Sequence, residues 1–298
     1  MPGSILESGF ASPLLAREPA RPAAGRRSLR RLLRSPAGRV GIGLTVALVM
    51  LACLASVVVP GDPFAPTGRP LTPPSRAHPM GTDDLGRDLF TAVAHGTRTS
   101  LALAAAVSLL AGSIGVAVGS LGAWRGGWLD DGLMHLTEFV QVVPRFFLAV
   151  IAIALFGPGL DRVALLLAVT SWPWIARVVR AEILSLRTRD FVEAARSLGA
   201  GSARVLVREV LPNALPPVVV VVFLNAAGAI LIEAGLSFLG LGDPDVVSLG
   251  YLANNAQRFL REAWWMAAFP GATIALVVLG LNLLGDGLNE VLNPRGAP

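Results

Sequence analysis

Six apolar segments, each close to the length that crosses a bilayer as a helix, constrain the fold of this chain more than any other feature. Lipid offers no hydrogen-bonding partners to the backbone, so such segments fold as helices whose peptide groups bond within the segment. The alternating segments of roughly ten residues that build a membrane barrel are absent from the sequence. The sequence therefore predicts an all-α integral membrane bundle with six transmembrane helices, at residues 40–59, 101–123, 133–156, 163–179, 214–236 and 269–284.

The composition agrees with a membrane protein, because 53% of the residues are hydrophobic and only 15% are charged. The formal net charge is +5, and every basic residue is an arginine, so the chain contains no lysine. The arginines collect beside the apolar segments without forming a basic patch with interleaved aromatic residues, which argues against nucleic-acid binding. Cys53 is the only cysteine, which excludes a disulfide within the chain.

The distribution of arginine predicts the orientation in the membrane. With the N-terminus in the cytoplasm, 17 arginines lie on the cytoplasmic side and seven on the outer side, as the positive-inside rule requires. We therefore expect both termini in the cytoplasm, a partly disordered N-terminal cytoplasmic tail over residues 1–39 and a transmembrane domain over residues 40–298. Residues 60–100 are then an extracytoplasmic loop, and residues 180–212 are a cytoplasmic loop.

Four tryptophans agree with this orientation. Indole rings favour the interfaces between lipid and water. We expect Trp264 and Trp265 at the outer interface and Trp124 and Trp128 at the inner one.

The predicted cytoplasmic loop contains a short charged stretch, RDFVEAARSLGAGSARVLVREVLP, between two apolar segments. Asp190 as an N-cap, with Glu193 three residues later, predicts the start of a helix, and Gly199 predicts its end in a left-handed conformation. Ser202 predicts the start of a second short helix, after which Pro212 opens the fifth span.

The first of these helices, expected over residues 191–198, is amphipathic but too short to be stable alone. Its apolar side carries Phe191, Val192, Ala195 and Leu198. Packing on the protein's own spans, a position on lipid, or docking to a partner would each stabilise it, and these residues leave the three alternatives open. Burying the three larger side chains contributes roughly 5–8 kcal/mol, whereas association of two proteins costs roughly 4–15 kcal/mol. Docking would therefore need further contacts.

The letters EAA at 193–195, the glycine at 199 and the pair LP at 211–212 resemble the EAA loop in membrane-spanning subunits of binding-protein-dependent ABC importers. In that family the loop is a coupling helix that docks in a groove of a cytoplasmic ATPase subunit. The resemblance implies a coupling role for Phe191, Val192, Glu193, Ala194, Ala195, Leu198, Gly199, Leu211 and Pro212. It extends over about residues 30–294 and implies the type I ABC importer permease (MetI-like) architecture.

An acidic, glycine-containing stretch, HPMGTDDLGRDLF, precedes the second predicted span. The spacing of its acids does not fit an EF-hand loop, so we expect no metal site. The stretch resembles the extracytoplasmic signature of the peptide and nickel importer branch, in the C-type of its two permease subunits. The matching residues are Gly81, Thr82, Asp83, Gly86, Arg87 and Asp88.

A polar stripe marks the third predicted span, where His135, Glu138, Gln141 and Arg145 recur at spacings of three or four residues. Ionisable groups at such depth face a bundle interior or a water-filled cavity. Glu138, Gln141 and Arg145 are therefore candidates either for lining a pore or for pairing with neighbouring helices. Pro144 is expected to bend this span.

The resemblance also implies a set of partners and a cargo. The chain carries no G-x-x-x-x-G-K-[ST] phosphate loop, so it is expected to be no enzyme and to bind no cofactor, with ATP-Mg held by partner subunits. The implied partners are a paralogous permease subunit, two cytoplasmic ATP-binding subunits and an extracytoplasmic solute-binding protein. The expected location is the bacterial plasma (inner) membrane. The expected cargo is a dipeptide or oligopeptide, with nickel or another small solute as the alternative.

Two other classes of protein fit the sequence less well. A secondary transporter often shows internal repeats, which are not evident in the sequence, and it gives no reason for the charged loop. An intramembrane enzyme would need a convergent set of nucleophilic or metal-binding residues, and no H-E-x-x-H or comparable motif is present.

Overall fold

The computed structural model describes residues 36–58 and 61–292, and within these ranges the regular structure is helical apart from two isolated bridges. The helices are α1 (Pro36–Val58), α2 (Leu89–Arg125), α3 (Gly127–Val142), α4 (Arg145–Phe156), α5 (Leu160–Leu186), α6 (Asp190–Ser197), α7 (Ser202–Val205), α8 (Leu211–Leu236), α9 (Leu249–Ala256) and α10 (Trp265–Leu292). Two π-helical turns, Leu206–Val210 and Ser237–Leu241, flank α8, and a 3₁₀ turn, Gln257–Phe259, follows α9. The all-α prediction is confirmed for the described residues.

Among the described residues, fewer than the predicted six spans reach the length and hydropathy of a full crossing. Among the described helices, four are long and apolar enough to cross a membrane, namely α2, α5, α10 and the stretch that contains α8. The pair α3 and α4 is a fifth crossing if the two helices count as one span. The apolar part of α1, Gly38–Leu54, is shorter than a full span. The predicted end of this span at residue 59 lies outside the described residues, as does the predicted disorder in the first part of the N-terminal tail.

The second spanning helix begins earlier than predicted, at Leu89 rather than Leu101. Asp88 caps it, because its Oδ2 accepts a hydrogen bond from the backbone N–H of Thr91 at 2.8 Å. Residues 89–100 therefore belong to α2 rather than to the loop over residues 60–100. Polar side chains such as His95 interrupt the apolar pattern there, which is why hydropathy placed the start too late.

The third predicted span is broken, with a bend of 73° between α3 and α4. Val143 and Pro144 have extended backbone conformations, with ψ of 123° at each residue. Proline lacks the N–H that an inner helical turn needs and disfavours the helical conformation of the residue before it. The bend expected at Pro144 is confirmed, and it divides the span into two helices.

Close packing of α2 against α5 forms the centre of the bundle. A Cβ atom on Gly119 would overlap the carbonyl oxygen of Ala176, and one on Gly115 would lie 2.7 Å from the Cβ atom of Ile175. Small residues allow helix backbones in membrane proteins to approach each other this closely. The two glycines thus determine how closely α2 and α5 approach each other.

Two buried apolar clusters hold the segments that lie between the spans. The first joins the C-terminal end of α2 to α5, α6, α7 and the start of α8, through Ala123, Val179, Ile183, Val192, Val205 and Ala214. The second joins the start of α2 to α9 and α10, through Leu89, Val93, Leu249, Trp265 and Met266. The loop with the EAA letters therefore rests on the first cluster, and the acidic signature stretch rests on the second.

Candidate functional site

The charged stretch after α5 forms the short helix α6, whose start differs in detail from the prediction. Arg189 occupies the N-cap position and Asp190 is the first helical residue, and no side chain forms a capping hydrogen bond there. The predicted reciprocal cap between Asp190 and Glu193 is therefore wrong. Both carboxylates lie in the first turn, where negative charge interacts favourably with the helix dipole.

The end of α6 follows the prediction at Gly199, which has a φ of 80°. The backbone N–H of Gly199 donates to the carbonyl of Arg196 at 2.9 Å, and that of Ala200 donates to the carbonyl of Ala195 at 3.1 Å. These two bonds make a Schellman motif, which satisfies the last carbonyls of a helix and requires a left-handed residue at this position. Glycine adopts that conformation without a steric penalty.

The apolar residues of α6 separate into two faces instead of the one predicted. Val192 is 1% exposed and packs in the cluster that also contains Val205 and Ile183. Phe191 and Leu198 remain 39% and 88% exposed. Glu193 and Ala194 are exposed as well, and Ala195 is half-buried. The helix is thus anchored to the bundle by one side chain while two larger apolar side chains stay available on its surface.

Because Val192 is already buried against the bundle, docking to a partner can bury only Phe191 and Leu198, which lowers the free energy that docking supplies. Full burial of Phe191 and Leu198 contributes at most about 1.5–3 kcal/mol for each side chain. Association of two proteins costs roughly 4–15 kcal/mol in lost freedom, so the apolar contacts of α6 alone hold no partner firmly. Polar groups near α6 must contribute to any stable contact.

The chain continues from α7 into α8 without a break. The predicted second short helix is present as α7, but Gly201 and not Ser202 is its N-cap, and helical winding runs on through the π turn Leu206–Val210 into α8. Pro212 lies in the first turn of α8, where its missing N–H matters least, and Leu211 beside it is half-buried. Because α7 is continuous with α8, a displacement of the loop at Ser202 is passed directly to a spanning helix.

Trp124, at the end of α2, clamps this loop in a way that sequence reasoning missed. Its indole Nε1 donates to the hydroxyl of Ser202 at 2.8 Å, and the guanidinium of Arg196 lies 5.3 Å from the centre of its ring. Arg187 adds a hydrogen bond from Nη1 to the carbonyl of Ala123 at 2.9 Å. The sequence indicated only an interfacial tryptophan, because nothing in its spacing relates Trp124 to residues so far along the chain.

A second tie joins α3 to α5. Arg180 donates from Nε and Nη2 to the two carboxylate oxygens of Asp130, at 2.7 Å each. Such a bidentate pair fixes both the distance and the orientation of the two side chains. Asp130 is 7% exposed, so the pair holds the base of α3 on the same helix that leads into the charged loop.

In the polar stripe of the third predicted span, His135 and Glu138 pair with each other, whereas Arg145 contacts a neighbouring helix. Glu138 lies 3.6 Å from His135 and 4.0 Å from Arg177 on α5, and the two side chains of the His–Glu pair are 81% and 60% exposed. Arg145 is half-buried and donates from Nη1 to the hydroxyl of Ser171 at 3.5 Å. Gln141 is half-buried on α3. The break places Glu138 and Arg145 on different helices, and a pore-lining role for the stripe stays a prediction.

The acidic signature stretch folds into a compact loop over the start of α2. Asp83 is 6% exposed, and its Oδ1 accepts hydrogen bonds from the backbone N–H groups of Leu85 at 2.9 Å and Arg87 at 2.8 Å. Burial raises the pKa of the Asp83 carboxyl above its ordinary value, although these hydrogen bonds oppose the shift. Gly81 and Gly86 form turns on either side of Asp83.

The other signature residues attach this loop to the spans. Thr82 accepts a hydrogen bond at its carbonyl from Nε1 of Trp265, at 3.1 Å. Asp88, the N-cap of α2, also contacts Nδ1 of His78 at 2.9 Å. Trp265 is 5% exposed, so it is a buried support for the loop and not the interfacial anchor that was predicted, whereas its neighbour Trp264 is 60% exposed.

Arg87 connects the loop to α9. Its Nη1 donates to the hydroxyl of Tyr251 at 3.4 Å, and its guanidinium lies 5.1 Å from the centre of the Phe64 ring. The signature residues therefore cooperate in holding one lobe on α2, α9 and α10. Across the described ranges, no three His, Cys, Asp or Glu side chains come close enough together to hold a metal ion.

A buried carboxyl group supports the same lobe from α8. Oε1 of Glu233 accepts hydrogen bonds from the hydroxyls of Ser237 and Ser248, at 2.7 Å each. Ser248 in turn caps α9 by accepting from the backbone N–H of Tyr251 at 3.1 Å. Glu233 is 2% exposed, so this network fixes the start of α9 against the end of α8.

The fold defines the class of protein. The chain is similar to a chain in two crystal forms of the inward-facing MetNI methionine ABC transporter, with TM-scores of 0.56 and 0.55 and sequence identities of 21% and 22%. The similarity covers 67% of this chain and 96% of the other in the first case. The architecture is that of a type I ABC importer permease.

The sequence assigns the family. Residues 96–297 match the model of the binding-protein-dependent transport system inner membrane component, and this chain belongs to that family. It is a multi-pass inner-membrane permease of a binding-protein-dependent ABC importer, a transport component and not an enzyme, and ATP is hydrolysed by separate subunits.

Two relatives match nearly the full length of the chain. A peptide transport system permease protein of Brucella suis biovar 1 is 39% identical over 268 residues, which cover 89% of this chain and 90% of the relative. The dipeptide transport system permease protein of Alkalihalophilus pseudofirmus is 31% identical over 302 residues, which cover 97% of this chain and 99% of the relative.

Proposed function

We propose that this chain forms half of the translocation pore of a peptide importer and receives the motion of an ATPase subunit through α6. The observation that carries the coupling role is the division of α6 into two faces. Val192 anchors the helix to the bundle, while Phe191 and Leu198 remain exposed for a partner. The names of the two long relatives, a peptide and a dipeptide permease, support a peptide as the cargo.

Each predicted coupling residue has a distinct part in this proposal. Phe191, Glu193 and Ala194 on α6 and Leu198 at its C-cap contact the ATPase groove, because all four are exposed. Val192 and Ala195 hold the helix on the bundle, and Gly199 closes it. Leu211 and Pro212 begin the spanning helix that responds to a displacement of α6.

The orientation and the partners follow from the same reasoning. The loop with α6 lies on the cytoplasmic side together with both termini, and the lobe around Asp83 lies outside. The complete transporter contains a paralogous permease subunit, two ATP-binding subunits and an extracytoplasmic solute-binding protein. The outer lobe and α9 then face the solute-binding protein.

The proposed switch begins when the ATPase subunits close. Their movement displaces α6, and α8 moves with it because winding is continuous from Ser202. The polar stripe of Glu138, Gln141 and Arg145 then lines part of the pathway at the break between α3 and α4. A ligand-driven switch of this kind requires that the ATPase contacts differ in free energy between the two pore states.

A photo-crosslinking experiment tests the contact with the ATPase. In a Cys53→Ala background, Leu198→Cys places one thiol on α6 for attachment of a benzophenone maleimide. Leu239→Cys is the control, because Leu239 is 61% exposed at the other end of α8. We expect light to join the ATPase subunit to the α6 position and not to the control position. Absence of that product throughout the ATP cycle would refute the coupling role.

The cargo is tested by reconstitution of the complete complex in proteoliposomes. We expect ATP-dependent uptake of a radiolabelled dipeptide in the presence of the solute-binding protein. Uptake of a nickel chelate with no uptake of peptide would show that the cargo is the chelate and that the peptide proposal is wrong. Uptake that persists without the ATPase subunits would indicate a secondary transporter.

A further inference from the structure

An open cavity of about 620 Å³ lies between the end of α5 and α6. Its lining is entirely polar or charged and comes from one short segment, with Arg187, Thr188, Arg189, Glu193, Arg196 and Ser197. Three arginines and one glutamate line the cavity, so its lining has an excess of positive charge. The hydroxyl of Ser197 is a further hydrogen-bond donor, whereas that of Thr188 donates to the carbonyl of Ser185 at 3.5 Å. The lining therefore suits an anionic group.

Two of the three guanidinium groups are already held in place. Arg187 is fixed by its hydrogen bond to the carbonyl of Ala123, and Arg196 lies over the ring of Trp124. Arg189 is exposed, and its guanidinium has no side-chain or carbonyl partner within the part of the chain that the structure describes. Arg187 and Arg196 lose little freedom on binding because they are already held, and among the described residues Arg189 has its guanidinium donors free for a ligand.

We propose that this cavity receives an aspartate or glutamate side chain of the ATPase subunit, and that Arg189 binds its carboxylate. The inference rests on the proposed function of α6. The cavity shares α6 with the exposed Phe191 and Leu198, so one docked surface covers both. The planar guanidinium of arginine matches a carboxylate with two parallel hydrogen bonds. The carboxylate supplies the polar contact that the apolar side chains of α6 need.

The absence of lysine from this chain allows a direct test. Arg189→Lys introduces the only side-chain amine of this chain, so any amide formed at that position of this chain is identified by its peptide. A zero-length carbodiimide activates a carboxylate, and an amine in contact displaces the activated group to form an amide. We expect mass spectrometry to identify an amide between the introduced lysine and an Asp or Glu of the ATPase subunit. Arg204→Lys is the control, because Arg204 is exposed on α7 and outside the cavity lining.

Charge reversal gives an independent measurement. Arg189→Glu is expected to weaken binding of the ATPase subunit to the permease by about tenfold, the size of one lost charge-assisted hydrogen bond. The same change at Arg204 is expected to leave this affinity within about twofold of the unchanged complex, as for an exposed charge outside the contact.

The outcomes separate this inference from the proposed function. If the introduced lysine bonds only within its own chain or forms no amide, while the benzophenone at Leu198 still reaches the ATPase, the carboxylate proposal is wrong and the coupling role stands. If neither probe reaches the ATPase, the coupling role is wrong as well. Arg189→Glu could also weaken ATPase binding only in vesicles with phosphatidylglycerol and not in neutral lipid. That result would show that the cavity holds a lipid phosphate and that the carboxylate proposal is wrong.

Discussion

The indole Nε1 of Trp124 donates a hydrogen bond of 2.8 Å to the hydroxyl of Ser202, and this contact ties the end of one spanning helix to the start of another. The same ring lies beneath the guanidinium of Arg196 on α6. Because one side chain contacts both α6 and α7, it holds them in a fixed relation to α2. The loop therefore moves as a unit with the bundle rather than as a free connection.

Replacement of the indole tests this clamp. Trp124→Phe keeps an aromatic ring for Arg196 but removes the hydrogen bond, so we expect a loss of about 0.5–1.5 kcal/mol in the stability of the loop. Ser202→Ala removes the other partner of the same bond. In a double-mutant cycle on unfolding of the purified complex, the two losses are expected not to add. Fully additive losses would show that the bond contributes nothing.

Gly199 is expected to be essential for coupling because of its backbone conformation. A side chain at its φ of 80° costs about 1–2 kcal/mol, and a β-branched residue is disfavoured further. Gly199→Val is therefore expected to distort the end of α6, so that ATP hydrolysis continues while peptide uptake per ATP falls by about tenfold. The measurement is the ratio of uptake to hydrolysis in proteoliposomes.

Gly201 provides the matched control for that experiment. It lies two residues further along with a φ of −64°, and no atom lies within 4 Å of an added Cβ. Gly201→Val is expected to leave the ratio of uptake to hydrolysis unchanged. Equal effects at both positions would mean that bulk in the loop, and not the left-handed conformation, determines coupling.

The close approach of α2 and α5 predicts a difference between two other glycines. Gly119→Ala places a methyl group against the carbonyl of Ala176 and is expected to destabilise the permease by about 1–3 kcal/mol. Gly271→Ala adds the same methyl group where no atom lies within 4 Å, on the exposed side of α10. It is expected to be neutral or stabilising by up to about 1 kcal/mol. Thermal unfolding in detergent measures both.

The lobe around Asp83 is expected to lose stability as the pH rises past the ordinary pKa of an aspartate. Burial raises the pKa of Asp83 above 3.8, so between that value and the raised pKa the folded lobe binds more protons than the unfolded chain. Stability from this group is therefore greatest below 3.8 and declines as the pH rises through the window. Asp83→Asn is expected to abolish this decline.

Hydrogen exchange at the amides of Leu85 and Arg87 measures the effect, because both donate to Oδ1 of Asp83. An asparagine keeps an oxygen at this position for the same two donors. Protection factors correct for the intrinsic pH dependence of exchange. Protection that rises with pH in the unchanged protein would contradict the sign of the prediction.

Hydropathy and local motifs predicted the architecture but not the ends of its elements. The apolar segments and Pro144 indicated a helical bundle with a bend, since both signals act within a few residues. The start of α2 at Leu89 was missed because the cap at Asp88 depends on the folded loop around it. Polar side chains in that first part of α2 are sheltered by packing that hydropathy does not represent.

The contacts that complete the candidate site could not be predicted from local sequence patterns, because they join residues far apart in the chain. The pair of Asp130 and Arg180 joins residues 50 positions apart, and the contact of Trp124 with Ser202 joins residues 78 positions apart. The face of α6 was also predicted wrongly, because periodicity placed Val192 and Leu198 together. Phe191 and Val192 are neighbours in the sequence, and only the position of the bundle decides that Val192 is the one that is buried.

Winding is continuous from Ser202 to Leu236, but it passes through the π turn Leu206–Val210 and past Pro216 and Pro217 inside α8. A π turn and interior prolines interrupt the regular hydrogen bonding of a helix and are the usual places where it bends. A torque applied near Ser202 therefore acts most directly on the turns before Pro216, and the rest of the span bends rather than rotating as one body.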